Sequence, residues 1–250
     1  MSPDPRSQNP RPQDTTRPPA SRLRLRQSGA RKLSYAPITP PVIYTPAQLP
    51  QTETKPARDL SLQGYLRGVR GDLYRKKARS DTRTLLTALF TDSAFKHTFW
   101  FRTASFVWGR PALRYTLYPL VRTIYRHYQH KHCVWIPPAT QIGPGIFLEH
   151  LSDIFINGRA VIGKNCNIAN GVTVGQTNRG PRKGYPRIGD NVFIGPGAKI
   201  LGAVTVGNNV AIGANCVVIK DVPDNAVIAA QPGEVISYRG SSGYVDNTDY

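Results

Sequence analysis

The chain has 250 residues, with 33 Lys plus Arg against 15 Asp plus Glu (a formal charge of +18) and 40% apolar residues. That is room for one large or two small domains around a substantial core, and no run reaches the roughly 18 apolar residues of a membrane-spanning helix, so an integral membrane protein is not expected. Cys133, Cys166 and Cys216 make neither a C-x-x-C cluster nor an even-numbered disulfide framework, and a reducing, cytoplasmic setting, at most peripheral at the inner membrane face, is the expectation.

Residues 1–59 carry a net +6 and 12 of the 22 prolines. Their Pro, Gln, Thr, Ser and Arg content buries too little apolar surface to offset the entropy of ordering, which predicts a disordered tail. Arg22, Arg24, Arg26, Arg31 and Lys32 could touch anionic lipid, nucleic acid or an import receptor, although Asp4, Asp14 and the prolines fit a transit peptide poorly. A solvated tail is the favoured reading.

Residues 60–135 carry a net +11. Leu62, Tyr65, Leu66 and Val69, then Leu85, Leu86, Leu89 and Phe90, then Leu113, Leu117, Leu120, Val121 and Ile124 recur at helical spacing and predict amphipathic helices with those residues inward. Asp81 and Thr84 bracket a helix start, and Gly109, Arg110 and Pro111 break the run near residue 110. Phe95, Phe99, Trp100, Phe101, Phe106 and Trp108 interleave with Arg102 and Arg110. Core packing under a basic outer face is preferred for them over a nucleic-acid or membrane surface.

From residue 136 to 236 the period becomes six. Ile136, Ile142, Leu148, Ile156, Ile162, Ile168, Val174, Ile188, Ile194, Ile200, Val206, Ile212 and Val218 mark it, and Gly143, Gly163, Gly175, Gly189, Gly195, Gly207 and Gly213 each follow an aliphatic. Four residues after many of these aliphatics comes a second apolar residue: Cys166, Val172, Val192, Ala198, Val210 or Cys216. A helix needs 3.6 and a half-buried strand needs 2, so the pattern predicts a hexapeptide β-helix with both sets inward and the glycines at tight turns. Cys166 and Cys216 then read as interior hydrophobes. Two interruptions must leave the prism surface: Leu148 to Ile156, which holds His150, and the polar run 176–187, QTNRGPRKGYPR, an exposed loop that could fold toward His150. Residues 237–250 read as a flexible tail. The fold class is therefore mainly β, a parallel β-helix preceded by an α-helical domain and a disordered basic tail.

IGPGIFLEH, AVIGKNCNIANGVTVGQT and IGDNVFIGPGAKILGAVTVGNNVAIGANCVVIKDVP resemble the serine acetyltransferase branch of the hexapeptide acyltransferases and the related O-acetyltransferases of polysaccharide pathways. DLYRKKARSDTRTLLTALFTDSAFKHTFWFR is similar to the N-terminal helices of the polysaccharide-associated members. The resemblance implies a left-handed coil, a homotrimer or dimer of trimers, acetyl-CoA as co-substrate between neighbouring coils, no metal, and a small-molecule or glycan acceptor. It places the catalytic histidine at His150, beside Glu149. An imidazole titrating near about 6.5 can take the acceptor hydroxyl's proton and return one to the CoA thiolate.

The same resemblance assigns acetyl-CoA to Gly175, Thr177, Pro196, Gly197, Ala198, Lys199, Ala214 and Lys220, while the family's usual Gly near the C-terminal cap falls on Ala230. The carboxylate that orients the histidine falls on Trp135, and the Arg-His pair that holds the amino acid falls on Gly184 and Tyr185. Arg182 or Lys183, like Arg179 or Arg187, could supply the missing cation and Glu149 could hold an amino group. A sugar stacked on Tyr185 or Trp135 explains those replacements better, which makes a sugar hydroxyl the main reading and L-serine the alternative. A third reading is a non-catalytic trimeric scaffold whose basic segments bind a membrane surface or nucleic acid, although on the main reading nucleic acid is not the expected partner. His127, His130 and His132 have no acidic or Cys partner pattern for a metal, and His97 reads as packed or solvated.

Overall fold

The computed structural model describes residues 59–238 with 240, 241, 244 and 245; the expected disordered tail up to residue 58 and most of 237–250 lie outside the described residues. Five helices come first: α1 (Leu62–Lys77), α2 (Thr82–Thr91), α3 (Ser93–Trp108), α4 (Pro111–Thr116) and α5 (Tyr118–His132). Ser61, Asp81 and Asp92 cap α1, α2 and α3 by accepting the N–H of Gly64, Thr84 and Phe95, which satisfies donors that the first helical turn leaves open. Gly109 ends α3 and Pro111 opens α4, where its missing N–H costs nothing. His97, Phe101, Ala104 and Val107 bury one side of α3. Val69, Leu73, Ala88 and Phe95 make a small core of their own with Leu85 and Leu89. Leu62, Leu66, Leu86, Leu117 and Leu120 do not join it and are exposed, against the inward placement that their spacing predicts, because the short bundle covers only part of each helix.

After Cys133 the chain coils into a three-sided parallel β-helix of strands two or three residues long. One face is made by 134–135, 154–156, 173–175, 199–201 and 217–218, the second by 141–142, 161–162, 187–188 and 205–206, and the third by 147–148, 167–168, 193–194, 211–212 and 227–228. Like residues stack between coils: Ile156 on Val174 on Ile200 on Val218, Ile142 on Ile162 on Ile188 on Val206, and Leu148 on Ile168 on Ile194 on Ile212. Cys166, Val172, Val192, Ala198, Val210 and Cys216 fill the corners from inside, all buried.

The repeat glycines have a different task from the one expected. Those that follow the aliphatics are absent from the left-handed region, and a Cβ on Gly189 would lie 2.3 Å from the carbonyl oxygen of Gly207. They permit close stacking of successive coils. The left-handed turns at the corner between the second and third faces fall to Asn165, Asn191, Asn209 and Asn225, whose φ lies between 56° and 61°. Asparagine tolerates that region better than other side-chain-bearing residues, and here the amides also donate to one another up the ladder at 3.0 to 3.1 Å.

A buried ion pair joins helices to coil. The Asp72 carboxylate on α1 takes two bonds from the Arg102 guanidinium on α3 at 2.9 and 3.0 Å, and one of its oxygens also accepts the N–H of Gly145 and Ile146. Arg102 in turn donates to the carbonyls of Ile142 and Gly143, both at 2.6 Å. Every partner lies on the coil that runs on to Glu149 and His150.

Candidate active site

The two interruptions leave the prism at different corners. Between the third and first faces, Gly171, Gly197 and Asn215 each turn the chain with one left-handed residue, and Asp153 (φ 54°) holds the matching place in the first coil. The two extra residues of that coil add a second left-handed residue, His150 (φ 50°). A non-glycine residue there is uncommon and is kept only where its surroundings impose it. The consequence is an exposed imidazole standing off the corner, with no hydrogen-bond partner among the described residues.

Around it the contacts are polar. Glu149 accepts from the Asn167 side chain at 2.9 Å, and Asn167 accepts from Arg75 of α1. Asp153 accepts from the Ser152 hydroxyl at 2.5 Å and the Cys133 thiol at 3.2 Å. Those two bonds, with a smaller pull from Lys199, hold the Asp153 carboxyl below the usual carboxylate range, and the bond to Asp153 pushes the Cys133 thiol up.

The loop 176–187 occupies the corner between the first and second faces. Thr177 and Gly184 bond to each other through both backbone groups at 3.0 and 3.1 Å and close it into a small hairpin. Arg182 pins it to the next coils, with its carbonyl taking the Ala203 N–H and its guanidinium donating to Asp221 at 2.9 Å. Lys183 is exposed and Tyr185 half-buried. The Tyr185 hydroxyl takes a bond from Arg159 at 3.1 Å, and that guanidinium also lies 5.3 Å from the ring centre.

Between these corners lies the outer side of the first face, where Trp135 and Phe155 are paired in register, followed along the column by Thr173, Lys199 and Val217. Trp135 meets His130 edge-on at 4.8 Å. All the site residues expected from the sequence fall on this face or its two edges. His150, Glu149, Pro196, Gly197, Ala198 and Ala214 sit at one edge; Gly175, Thr177, Arg182, Lys183, Tyr185 and Lys220 at the other; Trp135 and Lys199 between. The edges are one side of the prism apart, about six residues or on the order of 20 Å of extended chain, so within one chain the loop does not reach His150. Pro196, Ala214 and Lys220 are exposed, whereas Ala198 is fully buried, its N–H donating to Gly195 and its carbonyl accepting from Thr173, so it offers a ligand no free group. The Lys199 ammonium donates to the Gly171 carbonyl at 2.5 Å and to the Thr173 hydroxyl at 3.2 Å.

Arg159, Asn167 and Arg75 join the site through contacts that sequence motifs do not mark. Arg159 had a readable signal: the coil that holds the loop brings Val161 opposite Arg187, and the same offset sets Arg159 beside Tyr185. Among the described residues no group of three or more His, Cys, Asp or Glu could hold a metal ion. His97 is buried in the bundle, 5.8 Å from the His132 ring, and burial, with His132 adding to it, pushes its pKa down to about 3.

The bacterial transferase hexapeptide (six repeats) family model matches residues 185–220. A serine acetyltransferase from Mycobacterium tuberculosis is 34% identical over 172 residues, 68% of this chain and 73% of that protein. The chain belongs to the serine acetyltransferase family. Its β-helix is accordingly the left-handed kind. A family member from Synechococcus elongatus is 42% identical over 117 residues, but there the match spans only 47% of each protein; a Staphylococcus xylosus relative is likewise covered over about half its length, 49%. Among solved structures, soybean serine acetyltransferase aligns with TM-score 0.54 and 32% identity over 66% of each chain. The Neisseria gonorrhoeae enzyme in complex with serine aligns with TM-score 0.55 and 28% identity over 69% of each.

Proposed function

We propose that this protein is an acetyl-CoA-dependent O-acetyltransferase in which His150 is the general base and L-serine the acceptor. The observation that carries the acceptor is Arg159 at the hydroxyl of Tyr185. The loop lacks the family's Arg-His pair at positions 184 and 185, and a zwitterion needs a cation for its carboxylate; Arg159, from the preceding coil, brings a guanidinium to that place. The names of the relatives favour the same acceptor.

His150 removes the hydroxyl proton as the oxygen attacks the thioester carbonyl. The carbon–sulfur bond breaks and the imidazolium returns a proton to the departing CoA thiolate, so no covalent enzyme intermediate is needed. Glu149, steadied by Asn167, serves the acceptor's ammonium group. Because His150 and the loop stand at opposite edges of one face, a trimer that sets the His150 edge of one chain against the loop edge of the next completes the site, with acetyl-CoA between them against Pro196, Ala214 and Lys220.

The in-register Trp135 and Phe155 pair favours a second reading, a sugar hydroxyl held by stacking on that face. Thiol release from acetyl-CoA separates the two. L-serine as the best acceptor, with serinol poor, supports the first; a glycan acceptor outperforming serine supports the second; release with neither overturns both.

A further inference from the structure

Residues 110–132, which run from α4 through the single right-handed residue Leu117 into α5, contain no carboxylate and carry Arg110, Arg114, Arg122, Arg126 and Lys131. Around the Leu117 junction, where Pro119 interrupts the helix and can bend it, three large apolar side chains are uncovered: Tyr115 is 82% exposed, Leu120 63% and Leu117 48%. Two of the arginines are fixed at the base of the bend, Arg110 over the Phe106 ring at 3.8 Å and Arg114 over the Trp108 ring at 3.6 Å. The three carboxylates of the helical segment are engaged elsewhere: Asp72 with Arg102, Asp81 at the start of α2, and Asp92 at the start of α3 and with Lys77.

An exposed apolar stretch flanked by arginine has few matching partners. A second copy of the same surface would set arginine against arginine with no carboxylate between them. Single-stranded nucleic acid would take the guanidinium groups but needs exposed rings for its bases, and two of the three uncovered side chains are leucines. An anionic bilayer surface meets both features, since aliphatic groups enter the headgroup–acyl boundary while arginines meet lipid phosphates. We propose that the α4–α5 bend docks this protein on an anionic phospholipid surface, with Tyr115, Leu117 and Leu120 entering the interface and Arg110, Arg114 and Arg122 at the phosphates.

The test is flotation of the full chain with vesicles of phosphatidylcholine alone or with roughly one-third phosphatidylglycerol. Residues 1–59 remain in every arm, so only the difference between variants reads the bend. Binding is expected on the mixed vesicles at about 0.1 M salt and is lost near about 1 M. Arg114→Ala with Arg122→Ala lowers the partition coefficient about 25-fold, at about fivefold per arginine. Leu117→Ser with Leu120→Ser lowers it by about 100-fold or more, with unchanged circular dichroism and melting. Equal binding to both vesicle types, or wild-type binding by the leucine variant, overturns the proposal. So does a leucine variant that instead lowers the mass of a self-associated species in sedimentation, or a chain that binds an oligonucleotide through these arginines and ignores vesicles.

Discussion

Arg159 and Tyr185 lie 26 residues apart in sequence and are joined by a 3.1 Å hydrogen bond on adjacent coils. On the serine reading, Arg159→Ala is expected to lower kcat/KM for L-serine by roughly 10- to 100-fold, the usual worth of a charge-assisted hydrogen bond, and to leave the already poor turnover of serinol, which has no carboxylate, almost unchanged. Equal losses with both compounds would mean that Arg159 supports the loop and does not hold the acceptor. On the sugar reading Trp135→Ala is the damaging change.

Arg182 gives a contrasting case, since its guanidinium is committed to Asp221. Arg182→Ala and Asp221→Ala should therefore resemble each other, each raising the protease sensitivity of the loop. Activity would fall in both for all acceptors alike. A serine-specific KM effect confined to Arg182→Ala would return that residue to the acceptor site.

His150→Ala is expected to reduce kcat by about 100- to 10,000-fold, the range for loss of a general base. An exposed imidazole adds little to the core, so the melting temperature should stay within experimental error of wild type. Turnover near the wild-type value with every acceptor would remove His150 from the chemistry.

Asp72→Ala leaves Arg102 buried beside backbone groups with no counter-charge. Breaking one half of such a pair costs about 3–5 kcal/mol, to be read from urea unfolding. Arg102→Met in the same chain should recover much of it, because two vacant charges are cheaper than one stranded charge. If the single variant unfolds at the wild-type urea midpoint, Asp72 is not the joint between helices and coil.

Acid stability follows from His97. Its folded pKa, about 3, lies below the unfolded value of 6.5, so between those values the unfolded chain binds a proton that the folded chain refuses. Folding free energy from this group is complete above about pH 6.5 and declines as pH falls toward 3, by up to about 1.4 kcal/mol per unit. His97→Phe should flatten that part of the stability profile between pH 6 and 4. An unaltered slope would assign the acid sensitivity to other groups.

Much of the β-helix is legible without coordinates because each coil repeats one rule: Ile188, Ile194 and Ile200 must face inward at every sixth residue, or the prism has no interior. The same counting exposes the two interruptions, and so locates His150 and the loop. It misleads where one residue type serves two purposes. Gly189 looks like a turn residue, yet it is there to let Gly207 approach, and the left-handed turn of its own corner belongs to Asn191. Leu117 and Leu120 carry a helical spacing that reads as core, yet among the described residues they stay largely exposed, since periodicity marks an apolar face without naming what covers it.

The local and repetitive part is therefore readable from the chain: the cap at Asp81 and the break at Pro111, the coil, and the two places where the count slips. These depend on neighbours along the chain or on a fixed period, which a linear reading contains. Tertiary structure alone decided that the His150 bulge and the loop stand at opposite edges of one face, that Arg182 turns back to Asp221, and that Asp72 and Arg102 reach from the helices to hold Gly145 and Ile146. Those relations join residues far apart in the chain through the register of stacked coils, and each offset in that register changes by the length of every insertion before it.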